Sequence, residues 1–179
     1  KPRGGRSDVG WSAVQGTSGA NPGDHAQVEA ASISGPLGDV GVDEPTIGTA
    51  ESYAILQAIS ASPWDNDHKI DIATDSRACT LTFESLERLT SRKWTRMPNR
   101  WIWRMILAQV LARRAVGQEV GVRWIRAHTE GEDNDSLWND QADRIAKAAA
   151  DMAPPVAVAL PPSERRWVVM HERRAITSD

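Results

Sequence analysis

Three acidic side chains stand in three separate contexts. Glu51 lies in Thr-Ala-Glu-Ser-Tyr-Ala-Ile-Leu-Gln-Ala, Asp75 closes Ile-Asp-Ile-Ala-Thr-Asp-Ser, and Asp143 lies in Asn-Asp-Gln-Ala-Asp-Arg-Ile-Ala. A fourth polar group, His128, sits upstream of Asp143 in Trp-Ile-Arg-Ala-His-Thr-Glu-Gly. Carboxylates brought together from a helix, a strand end and a second helix would offer oxygen ligands to hard divalent cations, and such a site can cleave a phosphodiester. A metal-dependent nuclease is therefore the leading reading. Each residue also has a plainer role: Glu51 can complement a helix dipole, Asp75 can cap the following helix, Asp143 can form an exposed ion pair, and His128 can be an ordinary loop histidine. Only their joint order favours a shared site.

The elements that must position these groups follow from periodicity. Asp8 to Gln15 alternates through Val9, Trp11 and Ala13 and predicts a strand, followed by a turn over residues 16–24. His25 to Gly35 predicts a second strand, and the Gly/Pro-rich stretch from Gly35 to Gly48 an irregular loop. A helix is predicted from Thr49 to the region of Ser60 to Pro63, carrying Glu51. His68 to Thr74 reads as a strand that delivers Asp75 at its end, and a helix follows from Ser76 through Thr90. A basic, tryptophan-rich connection leads to a helix over Trp101 to Arg114, stopped by Gly117. Val120 to Ile125 is the last core strand, His128 to Leu137 a polar loop, and Trp138 to Met152 an Ala-rich helix carrying Asp143. The order β-β-α-β-α-α-β-α implies an α/β layered fold with a mixed sheet.

The 179 residues and 40% hydrophobic content suit one globular domain with a sizeable core. A formal net charge of -3 excludes nucleic-acid binding by bulk positive charge, so any such binding must come from local clustering. The cluster is present: Arg88, Arg92, Lys93, Arg96, Arg100 and Arg104 run without an acidic residue between them and interleave with Trp94, Trp101 and Trp103. Arg92, Lys93, Trp94, Arg96 and Arg100 are the candidate nucleic-acid contacts, gripping phosphates while indoles pack on sugars or bases. Trp101, Ile102, Met105, Ile106 and Val110 are expected to form a buried helix stripe, and Trp124 and Trp138 to pack in the core. Cys79 is the only cysteine, which excludes an internal disulfide and favours an intracellular, reducing setting, whether nucleus, cytoplasm or organelle. No apolar run is long enough to span a membrane.

The segment from Trp11 to Ala150 resembles the ribonuclease H domain, particularly the version attached to reverse transcriptases of non-LTR retrotransposons. Ala50-Glu51-Ser52-Tyr53-Ala54, Ala73-Thr74-Asp75-Ser76, Val122 through His128, and Asn139 through Ala146 carry the likeness, in the right order. The resemblance implies a mixed five-stranded sheet with helices on both faces, and cleavage of the RNA strand of an RNA:DNA hybrid with two Mg²⁺ or Mn²⁺ ions. Glu51 and Asp75 would hold the leaving-group ion, Asp143 the ion carrying the water, and His128 would assist proton movement or product release. The resemblance also implies a fourth acid, bridging both ions, at the end of the first strand. In this alignment it falls just before Lys1, so that strand is expected to be truncated. The nearby Asp8 adjoins Val9-Gly10-Trp11 and belongs to the start of the next strand.

Residues 1–152 are thus expected to form the ribonuclease H-like domain, and residues 153–179, with Pro154, Pro155, Pro161 and Pro162, a Pro-rich extension or docking arm in which Arg166 to Met170 is a further strand or extended segment. Two readings of function follow. One is a hybrid-cutting endonuclease from a retroelement polyprotein; the other is an inactive module that binds RNA or supports a large ribonucleoprotein such as an organellar ribosome.

Overall fold

A computed structural model describes residues 9–16, 32–37, 46–64, 69–126 and 134–151, together with the backbone of 170–171 and 174–175. The elements are β1 (Gly10–Val14), β2 (Ser32–Pro36), α1 (Ile47–Ala61), β3 (Ile70–Thr74), α2 (Arg77–Ser85), α3 (Ser91–Arg96), α4 (Arg100–Ala115), β4 (Val120–Trp124), α5 (Asn134–Ala150), β5 (Met170–His171) and β6 (Arg174–Ala175). The mixed α/β character and the element order agree with the sequence, with one helix added. The run Ser91–Arg96, expected as a connection, is a short helix because the Thr90 hydroxyl accepts from the Lys93 amide and caps it. The preceding helix is shorter than expected: α2 ends at Ser85 and tightens into a 3-10 turn over Leu86–Arg88. Its neighbour α1 begins earlier, at Ile47, because Thr46 rather than Thr49 caps it. The start of α5 at Asn134 also precedes the expected Trp138.

Among the described residues the strands form three two-stranded ladders, which do not show the expected five-stranded sheet. β1 and β2 are antiparallel, with Trp11 opposite Gly35, and β3 and β4 are parallel, with Thr74 opposite Trp124. β5 and β6 form a separate antiparallel pair. Among the described residues β1 bonds only to β2 and β3 only to β4, so each presents one open edge and no strand joins the two ladders.

The main core lies between α1, α2, α4 and the β3–β4 pair, and contains Ile55, Leu56, Ile59, Cys79, Leu86, Ile102, Trp103, Ile106, Val110 and Val122. Two members of the expected α4 stripe fall outside it. Trp101 and Met105 are 37% and 49% exposed, because the helical repeat centres the buried arc on Ile102, Ile106, Val110 and Arg113 and turns positions 101 and 105 away. The exit of α4 is as predicted: Gly117 adopts φ +89, and its amide and that of Gln118 return to the carbonyls of Arg114 and Arg113.

The β1–β2 hairpin packs against α1 and α5. A Cβ at Gly10 would collide with the backbone of Ala146 and Ala150, so only glycine admits this approach. The Ser12 hydroxyl donates to the Ala142 carbonyl at 2.6 Å, fixing α5 on β1 next to the turn that carries Asp143. The outer end of α1 is fixed differently. Arg113 is fully buried and donates to the carbonyls of Pro63 at 2.9 Å, Ile59 at 2.6 Å and Ser62 at 2.7 Å, and to the Gln118 side chain at 2.6 Å. These carbonyls gather at the C-terminal end of α1, where the helix dipole favours a cation. Arg113 thereby ties the helix bearing Glu51 to α4.

Candidate active site

Glu51 stands in the early part of α1, half-buried, and its Oε2 accepts a 2.6 Å hydrogen bond from Ser76 Oγ. Ser76 is the N-cap of α2: the same oxygen accepts from the Cys79 amide at 3.4 Å. The hydroxyl therefore couples the helix start after β3 to the carboxylate on α1. Asp75, immediately before it, accepts at Oδ2 from Asn139 Nδ2 at 3.2 Å. Asn139 and Asp143 are four residues apart on α5 and so share one helix face. This spacing was a usable sequence signal for Asn139, which reasoning from the sequence quoted within a motif but did not assign.

The charges of the three acids are felt together. Burial pushes the Glu51 carboxyl above its ordinary range, and the negative charges of Asp75 and Asp143 push the same way, against the Ser76 hydrogen bond, which favours the ionised form. Burial likewise raises the Cys79 thiol, to about 11, and its Sγ lies 3.9 Å from Glu51 Oε2. At neutral pH Cys79 is a protonated, buried thiol on the wall of the site.

An arginine clamp sets where α5 begins. Arg123 Nε donates to Asp71 Oδ2 at 2.8 Å, and its terminal nitrogens bind both oxygens of Asp135 at 2.5 and 2.8 Å. β3, β4 and the first turn of α5 are joined in this way. All three side chains are 41–46% exposed, so the clamp contributes little stability despite its bidentate geometry; its effect is orientation.

The chemistry of the donor set fits a divalent cation: oxygen ligands of one sign, mutually repelling, one of them partly desolvated. The set is partial. Among the described residues no three His, Cys, Asp or Glu side chains are gathered closely enough to hold a metal ion by themselves. His128 and Asp8 lie outside the described residues, as does most of the segment from Arg166 to Met170.

The nucleic-acid candidates Arg92, Lys93, Trp94 and Arg96 occupy α3, and Arg100 opens α4. The four cations are exposed, and among the described residues no carboxylate pairs with them. Trp94 is half-buried, with the Arg104 guanidinium 5.7 Å from its ring centroid. Trp124, expected in the core, is 49% exposed because its Nε1 is drawn to the Asp75 carbonyl at 3.0 Å, beyond the end of the packed strands.

The model of the RNase H family matches residues 14–151. No curated protein matches the chain.

Proposed function

Since the chain belongs to the RNase H family, whose members are ribonucleases acting on RNA:DNA hybrids and generally depend on divalent metal, we propose that it is a metal-dependent endonuclease cutting the RNA strand of such hybrids. The observation that carries this reading is that Ser76, beside Asp75, donates to Glu51 at 2.6 Å while Asn139, one turn before Asp143 on α5, donates to Asp75 at 3.2 Å, linking three acid-bearing elements. Crowding like charges around a half-buried carboxylate opposes folding, and a bound cation relieves it.

Glu51, Asp75 and Asp143 are the proposed ligands, with His128 assisting proton movement. Ser76 holds one oxygen of Glu51 and Asn139 one oxygen of Asp75, which leaves the second oxygen of each for a cation. When bound, a pair of Mg²⁺ or Mn²⁺ ions would supply an activated water and stabilise the leaving oxygen. A fourth carboxylate, carried on a strand set between the open edges of β1 and β3, would complete the ligand set. The exposed cations of α3 and Arg100 would take the backbone of the hybrid. Retroelement descent rests on the four sequence fragments alone. The nuclease-type unit would end near residue 152, with residues 153–179 an extension or docking arm toward a larger polyprotein.

The partial ligand set favours a second reading, a ribonuclease H-like module that binds RNA or hybrid, or supports a ribonucleoprotein, without cutting. One experiment separates the two. A hybrid labelled on its RNA strand is incubated with the full-length protein and Mg²⁺ or Mn²⁺, beside Asp143→Asn and a chelator control. Cleavage by the wild type, lost in both controls, is expected; hybrid bound but left intact in either metal would overturn the nuclease reading in favour of the second.

A further inference from the structure

Trp124 ends β4 opposite Thr74, the residue before Asp75. Strand alternation places it on the same face as Val122, which is buried, yet Trp124 remains 49% exposed. Its one polar atom is already committed: the indole N–H donates to the backbone carbonyl of Asp75 at 3.0 Å. The ring is thus tethered to the backbone of a candidate metal ligand while much of its apolar surface faces water. An indole used only for packing would be covered. Among the described residues the other exposed tryptophans have ring partners: the Arg113 guanidinium lies 4.4 Å from the Trp64 centroid, and Trp101 meets Tyr53 at 6.2 Å. Among the described residues no aromatic ring or cation lies against Trp124. Two exposed arginines, Arg77 and Arg126, flank this corner in the chain and suit an anionic ligand.

We infer that Trp124 is a substrate-positioning residue whose free ring face stacks on the nucleotide base next to the phosphate that a cation bound at Glu51 and Asp75 would hold. The inference rests on the nuclease reading above and adds how the strand is registered: because the indole hangs from the carbonyl of Asp75, a stacked base is indexed to that carboxylate. Every base has a π face, so the contact orients the strand without reading its sequence.

The test compares wild type, Trp124→Phe and Trp124→Ala for binding, in Mg²⁺, to an RNA:DNA hybrid carrying 2-aminopurine at successive positions, its RNA strand 2′-O-methylated so that nothing is cut. Stacking is expected to quench 2-aminopurine at one position in the wild type, and to spread over neighbouring positions in Trp124→Phe, which keeps a ring but not the tether. The quench is expected to vanish in Trp124→Ala, with Kd raised about 5- to 150-fold. Unchanged affinity and quenching in Trp124→Ala would overturn the inference. So would a Trp124→Phe that folds like wild type but loses as much affinity as Trp124→Ala, since the tether rather than the ring would then matter. Failure of the wild type itself to bind hybrid would instead strike at the nuclease reading.

Discussion

The link between Ser76 and Glu51 offers the sharpest test of the site's geometry. Ser76→Ala deletes one oxygen with two roles. Losing the cap on the Cys79 amide costs about 1 kcal/mol. Losing the 2.6 Å bond to an ionised Glu51 costs about 1.5–3 kcal/mol. At neutral pH the sum is about 2.5–4 kcal/mol of unfolding free energy. The pH dependence has a definite sign. Glu51 has a folded pKa above its unfolded value, so its ionisation opposes folding, and its contribution to stability falls as pH rises through the window between the two. Without Ser76 the carboxylate loses the stronger of the two neighbours, Ser76 and Cys79, that favour its charge, so the folded pKa rises further and that window widens upward. In acid, where Glu51 is protonated, mainly the cap term remains and the penalty shrinks toward about 1 kcal/mol. Urea denaturation of wild type, Ser76→Ala, Glu51→Gln and the double variant at neutral and acid pH closes the cycle. The expected coupling at neutral pH is about 1–2 kcal/mol, since glutamine retains a weaker acceptor. A coupling below about 0.3 kcal/mol, within ordinary additivity, would refute the claim that Ser76 supports the charge on Glu51.

Arg113→Met keeps the volume but leaves the carbonyls of Ile59 and Ser62 without their donor, while Pro63 keeps only the Gln118 amide; a loss of about 2–4 kcal/mol in urea is expected, and a loss under about 1 kcal/mol would show that water replaces the guanidinium freely. Replacing Arg92, Lys93 and Arg96 by Ala should lower the slope of log K against log salt for hybrid binding by about 2–3, at about 0.9 per phosphate contact, with the unfolding midpoint unchanged because all three are exposed; an unaltered slope would remove α3 from the interface.

What the sequence made legible was what local pattern determines. The alternation in Ile70–Thr74 and Val120–Trp124 forms the parallel pair, and Gly117 ends α4 in the left-handed region that glycine favours. What it hid depends on contacts between distant positions. Arg113 reads as one more solvated arginine of α4, and it is buried only because the end of α1 collects carbonyls 50 to 54 residues away in the chain. Ser76 and Asn139 lay inside quoted motifs, but their partners are 25 and 64 residues distant. Trp124 follows the same logic: composition favours burial, and a single hydrogen bond to Asp75 overrides it. Which strands pair with which was not legible, because periodicity identifies strands and not their neighbours.

The electrostatic arrangement also bears on why these acids stand where they do. A protein selected only for stability gains nothing from a half-buried Glu51 facing the charges of Asp75 and Asp143. The Ser76 hydrogen bond favours the charged form of Glu51, and the Asn139 amide holds the Asp75 side chain in place. A retired site would be expected to lose this arrangement first, since neutral substitutions there relieve repulsion and desolvation at the expense only of a weaker hydrogen bond to Ser76. The arrangement therefore predicts that Glu51→Gln stabilises the metal-free protein at neutral pH while removing divalent-ion dependence from its melting temperature. Calorimetry with and without Mg²⁺ measures both effects. If the wild-type melting temperature does not respond to Mg²⁺ and Glu51→Gln melts lower, the acids serve the fold and the cation-binding account of them fails.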